Sequence, residues 1–132
     1  MHKVFVYGTL KEGHGNDVLL SFSKKLGKGL TQESYVMYES GIPFVSKSLA
    51  LTKIHGEVYL VTDDTLDALD MLEGHPDWYK REEVPIIYYN KDIQKGLLTN
   101  AWLYFNDAAP GNSKINKDGI YTKNYRFGRR SV

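Results

Sequence analysis

The sequence predicts a small α+β domain made mostly of short strands, with two short helices set among them. Three observations carry that expectation. Val4-Phe5-Val6-Tyr7 and the run 98–105 are rich in β-branched and aromatic residues and stop at turn-forming residues, as strands do. Leu66, Leu69, Met71 and Leu72 recur at helical spacing between Thr62 and Gly74. Glycine, proline and asparagine punctuate the segments between these runs.

Taken in order, Val4 to Tyr7 reads as a buried strand that enters a turn at Gly8, followed by a glycine-punctuated loop from Lys11 to Gly15. Asn16 and Asp17 suit the cap of a first helix, with Val18, Leu19, Phe22 and Leu26 on one face and Gly27 as its stop. Val36-Met37-Tyr38 and Pro43-Phe44-Val45 read as short strands joined through a Gly-Ile-Pro turn. In the run 54–61, His55, Glu57, Tyr59 and Val61 alternate with Ile54, Gly56, Val58 and Leu60, so a strand would put its more polar set on one face. Thr62 then suits the cap of a helix over 65–73, with Asp63 and Asp64 at the positive end of its dipole and Gly74 and Pro76 beyond its end. Strands at 83–89 and 98–105 would flank a polar turn through Asn90, Lys91 and Asp92. Residues 107–119 read as an exposed loop, and aromatics return in 121–130.

At 132 residues the chain suits one domain spanning 1–132, with 107–132 as a loop and C-terminal tail. Its 17 basic and 16 acidic residues leave a net charge of +1, so no global field draws nucleic acid or a membrane surface. With no cysteine there is neither disulfide nor thiolate chemistry, and no apolar run reads as a signal peptide or membrane span. A cytoplasmic protein with a local small-molecule site, no nucleic-acid partner and no membrane association is the expectation. Oligomeric state is not legible.

Most site chemistries are excluded by pattern. There is no Gly-x-Ser-x-Gly elbow, no His-Glu-x-x-His or His-x-His spacing among the four histidines, and no Gly-Lys-Ser/Thr phosphate loop. No metal and no cofactor is expected. What remains is the Tyr7-Gly8-Thr9-Leu10 turn at the end of the first strand and the carboxylate of Glu73, placed at a helix C-terminus where the dipole disfavours it.

These two features fall within a longer pattern. Val-Phe-Val-Tyr-Gly-Thr-Leu-Lys at residues 4–11, with Gly13 and Asn16, resembles the opening of the γ-glutamylcyclotransferase-like family, especially its γ-glutamylamine cyclotransferase branch. Gly56-Glu57-Val58-Tyr59, Leu69-Asp70 with Leu72-Glu73, then Pro76, Trp78-Tyr79 and Arg81 resemble a second block of that branch in order and spacing. The resemblance covers about residues 3–105 and fades beyond Phe105, where closure of a pocket by Tyr121 or Tyr125 rests on no motif. It implies a small mixed β-barrel-like sheet with two short helices. It also implies Glu73 as the catalytic acid/base, Tyr7, Gly8, Thr9 and Leu10 as the turn that binds a glutamyl moiety, and Tyr79 and Tyr104 as pocket tyrosines. The implied activity is release of 5-oxoproline from a γ-glutamyl amine or peptide: the substrate's α-amine attacks its own γ-carbonyl, with no enzyme nucleophile and no cofactor.

The residues set a physical condition on that role. A glutamate of ordinary pKa lies roughly 3.7 units below an α-ammonium, or ~5 kcal/mol for the first proton transfer. An apolar surround from Leu69, Leu72 and Trp78 would narrow that gap, provided the Glu73 carboxylate is desolvated and faces the Tyr7 to Leu10 turn. Rival readings are a non-catalytic binding module on the same fold, catalysis by Glu57 rather than its pairing with Arg81 or Lys53, and single-stranded nucleic acid along the basic and aromatic residues of 123–130. His75 reads as an exposed loop histidine that could reach a pocket rim.

Overall fold

The computed structural model describes residues 1–122. The tail reading at 123–130, and with it Tyr125, lies outside the described residues. Eight strands appear among those described: β1 (His2–Val6), β2 (Lys24–Thr31), β3 (Val36–Glu39), β4 (Pro43–Ser46), β5 (His55–Val61), β6 (Lys80–Asn90), β7 (Lys95–Phe105) and β8 (Lys114–Asn116). One α-helix, α1 (Asp63–Glu73), and a 3-10 turn at Asp17–Leu20 complete the set.

Strands β1, β5, β2, β6 and β7 form a closed barrel in that order. The pairs are antiparallel except at the seam, where β1 meets β7 in parallel at Val4 and Trp102. A smaller sheet, β4-β3-β8, stands beside it. The fold is therefore the expected α+β barrel. Strand alternation divides the apolar residues between two cores. Phe5, Val58, Ile86 and Leu103 belong to one with Met37 and Val45 of the small sheet. Their sequence neighbours Val4, Val6, Tyr59 and Tyr104 belong to the other, against Leu66 and Leu69 of α1.

Three expectations change. The first helix is only a four-residue 3-10 turn; Asn16 makes no side-chain cap, Leu20 alone of that turn is buried, and Phe22 is fully exposed. Instead of ending a helix, Gly27 lies inside β2, which the sequence pattern hid because the strand is rich in lysine and glycine. Glycine is needed there: a Cβ on Gly27 would sit 1.8 Å from the Tyr89 carbonyl oxygen, next to a register shift in the β2–β5 ladder. Within the stretch 107–119, read as a loop, β8 pairs with β3. Gly27→Ala is expected to destabilise the protein by about 3 kcal/mol or more, because the obstructing atom is backbone. Urea denaturation would read this as a lowered midpoint.

Other elements keep their predicted places. The β6–β7 hairpin is longer than predicted at both ends, and its polar turn is closed by Asn90 Oδ1, which accepts from the N–H groups of Asp92 and Ile93. The β3–β4 hairpin turns through Gly41. The α1 cap also holds, with the Thr65 N–H donating to Thr62 Oγ1 at 3.2 Å. Of the four apolar positions read on α1, Leu66 and Leu69 are buried, whereas Met71 and Leu72 are exposed.

Candidate functional site

At its C-terminal end, α1 stops at Gly74, whose left-handed φ of 66° turns the chain toward β6. The N–H of His75 donates back to the Asp70 carbonyl at 2.9 Å, and that of Tyr79 to the Glu73 carbonyl at 3.2 Å, so the helix end is tied down by its own continuation. A side-chain network fixes it further. Arg81 of β6 makes a two-pronged ion pair with Asp70, at 2.8 and 3.0 Å, and the Tyr104 hydroxyl of β7 donates to Asp70 Oδ1 at 2.7 Å. Burial raises the proton affinity of Asp70, but the hydrogen bonds from Arg81 and Tyr104 outweigh it and hold the carboxyl below its ordinary value. Glu73 follows one turn after this anchored residue.

Glu73 lines a cavity of about 210 Å³ together with Tyr7, Gly8, Thr9, Leu10, Tyr79 and Tyr104. All seven residues nominated from the sequence thus border one space, although they come from the loop after β1, the end of α1, the segment before β6, and β7. Glu73 is the sole charged side chain among the lining residues. Among the described residues its carboxylate has no hydrogen-bond partner, and burial by the surrounding walls pushes its pKa up to about 7.

The cavity's polar groups have definite polarity. Tyr7 donates its hydroxyl proton to the Tyr104 carbonyl at 2.7 Å, Tyr79 to the Pro43 carbonyl at 2.8 Å, and Tyr104 to Asp70. None of the three phenol protons is left for a ligand. Burial raises each phenol's pKa, with Glu73 nearby adding to the effect, so all three stay neutral at physiological pH. The N–H groups of Gly8, Thr9 and Leu10, by contrast, donate to no acceptor among the described residues. Asn16 steadies this turn, donating from its backbone to the Thr9 carbonyl at 2.7 Å and from its side chain to Thr9 Oγ1 at 2.8 Å.

Sequence reasoning missed one wall. Ile42 and Pro43, where β4 begins, line the cavity opposite the turn, and a Cβ on Gly8 would come within 2.9 Å of the Pro43 ring. No pattern in 39–48 signalled this, because the contact is made across the fold. Phe5, Val6 and Asn16 also line the space; Leu72 and Trp78 supply the expected apolar surround, whereas Leu69 is buried in the core instead.

The rival carboxylate is elsewhere. Glu57 does not line this cavity and pairs with neither Arg81 nor Lys53; it accepts from the Glu12 N–H and the Tyr59 hydroxyl and lies 3.5 Å from Lys25. Rather than being an exposed loop residue, His75 is half-buried, its Nδ1 accepting from the Arg81 N–H at 3.2 Å. No cluster of metal-ligating side chains occurs among the described residues, and no helix among them is long and apolar enough to cross a membrane.

Comparison with known proteins agrees with this fold. A family model described as "Gamma-glutamyl cyclotransferase, AIG2-like" matches residues 4–127. A Methanocaldococcus jannaschii protein provisionally named a γ-glutamylcyclotransferase is 46% identical over 106 residues, covering 80% of this chain and 84% of its own length. The γ-glutamylaminecyclotransferase C of Danio rerio is 31% identical over 112 residues, covering 78% of this chain and 74% of its own. The crystal structure of an AIG2-like protein from Mus musculus superposes with a TM-score of 0.79 at 25% identity, over 100% of this chain and 95% of that one.

Proposed function

We propose that this chain, which belongs to the γ-glutamyl cyclotransferase, AIG2-like family, releases 5-oxoproline from a γ-glutamyl amine or γ-glutamyl peptide, with Glu73 as the acid/base. The observation that carries this reading is the pairing, in one cavity, of a carboxyl raised to about 7 with three backbone donors, none of them partnered among the described residues.

In this reaction the substrate's α-nitrogen bonds to its γ-carbonyl carbon, and the bond from that carbon to the leaving nitrogen breaks. Two protons leave the α-nitrogen and two arrive on the departing amine, so neither water nor cofactor is consumed. Glu73 takes the first proton, freeing the α-amine to attack, and then serves as the relay to the leaving nitrogen. With its pKa at about 7, the gap to an α-ammonium near 8 narrows to roughly one unit, or ~1.4 kcal/mol. The N–H groups of Gly8, Thr9 and Leu10 hold the glutamyl moiety alike before and during the reaction, so their contribution is read chiefly in KM. The phenols of Tyr7, Tyr79 and Tyr104 shape the walls, since their protons are already engaged.

Incubation with γ-glutamyl-lysine, γ-glutamyl dipeptides and glutathione, with 5-oxoproline read by mass, tests the reaction and ranks the substrates. Absence of product from every one would favour a binding module without turnover. Gly8→Ala tests the cradle. It pushes the Pro43 wall and is expected to raise KM by about tenfold while costing roughly 1–2 kcal/mol of stability. An unchanged KM would remove the turn from the site.

A further inference from the structure

Two buried charged side chains take no part in that chemistry. Lys11 and Glu57 are among the few buried polar residues of the described chain, and neither lines the cavity that holds Glu73. Burying charge is unfavourable unless partners compensate it, and most of the contacts that do so here hold one loop. Glu57 Oε1, on β5, accepts from the Glu12 N–H at 2.9 Å and from the Tyr59 hydroxyl at 3.1 Å. Lys25 stands 3.5 Å from the other Glu57 oxygen and donates to Glu12 Oε1 at 2.9 Å, so Glu12 is held by both its main chain and its side chain. Lys11 Nζ donates to the Tyr121 carbonyl at 2.5 Å. The Tyr121 hydroxyl in turn donates at 3.1 Å to the carbonyl of Gly41, immediately before the opposite cavity wall of Ile42 and Pro43.

We propose that Glu57 and Lys11 are positioning residues that hold the loop of residues 8–16, and through it the Gly8, Thr9 and Leu10 N–H groups, at a set distance from the Ile42–Pro43 wall. This assignment rests on the cradle role proposed above. The loop is tied internally between Thr9 and Asn16 and anchored to the rest of the fold at Glu12 by Glu57 and at Lys11 by Tyr121; only the last anchor reaches the facing wall. Hydrogen bonds suit this task better than apolar contacts, because they fix direction as well as proximity.

The test compares Glu57→Met, Glu57→Gln and Lys11→Met with wild type well below each melting temperature. Glu57→Met is expected to raise KM for a γ-glutamyl substrate by on the order of tenfold to a hundredfold with a far smaller change in kcat, the scale of a misplaced binding group. Glu57→Gln, whose carbonyl can still accept from Glu12, is expected to recover most of that loss. A residue that merely supports the fold would lower the melting temperature and leave KM unchanged in the folded protein. Amide resonances supply a readout independent of turnover: those of Gly8, Thr9 and Leu10 are expected to shift in Glu57→Met and in Lys11→Met. If Glu57→Met does not fold, Lys11→Met carries the same expectations. KM within about threefold of wild type together with unshifted resonances would overturn the proposal. Should wild type release no 5-oxoproline, the proposed function falls, and the resonances alone decide the positioning role.

Discussion

Replacing Glu73 by glutamine is expected to lower kcat/KM for 5-oxoproline release by roughly three to four orders of magnitude, the upper part of what positioned proton transfer contributes. The size of the effect follows from the poverty of the site: among the described residues no other charged side chain lines the cavity, and the three phenol protons are held by Tyr104, Pro43 and Asp70. Nothing stands ready to substitute. Glutamine fills the same volume, keeps the apolar contacts and makes no demand for ionisation, so the variant is expected to fold at least as stably as wild type above neutral pH. Steady-state kinetics paired with thermal melts separates the outcomes. A loss of less than tenfold in a folded variant would assign the proton transfer elsewhere.

The second large effect is on pH. In its proposed role Glu73 must be unprotonated to accept the first proton, and burial pushes its pKa up to about 7, so kcat/KM is expected to fall tenfold per unit below that value, roughly a hundredfold by pH 5. Stability should move the opposite way. The folded protein holds the Glu73 proton up to about pH 7 whereas the unfolded chain releases it near 4.5, so the native state binds the extra proton between those values. Stability associated with this residue is therefore full at acid pH and is lost as pH rises from about 4.5 to 7, by on the order of 2 kcal/mol once partial solvent access is allowed for. Glu73→Gln abolishes that decline. Melting curves of both proteins at pH 5 and pH 8 would show it, and identical pH dependence in the two would refute the raised pKa.

Legibility in the sequence followed how local each signal was. The strand β1, helix α1 with its Thr62 cap, and the hairpin β6–β7 were readable because β-branched runs, capping and polar turns are encoded within a few residues. Strand β2 was not. Its Lys24-Lys25-Leu26-Gly27-Lys28-Gly29 composition is set by long-range demands, such as the backbone of Tyr89 against Gly27, and periodicity carries no trace of them. The site divides similarly. The Tyr7 to Leu10 turn and Glu73 stand out from the residues themselves, Tyr79 and Tyr104 only through family resemblance, and all of them border one cavity. The Pro43 wall, the Asp70–Arg81 anchor and the Glu57–Lys25–Glu12 cluster depend on which strand ends meet, so proximity along the chain does not reveal that Arg81 pairs with Asp70 rather than Glu57.

The solitary charge in the cavity has a consequence for turnover. A γ-glutamyl substrate enters as a zwitterion whose ammonium is attracted to the Glu73 carboxylate. Cyclisation turns that ammonium into an uncharged lactam nitrogen, and 5-oxoproline keeps only its own carboxylate. At the end of the proposed cycle two like charges therefore confront each other in a space of low polarity, and the enzyme's grip weakens at the moment the ring closes. The acid proposed to start the reaction would also eject its product, and weak inhibition by 5-oxoproline would be its signature.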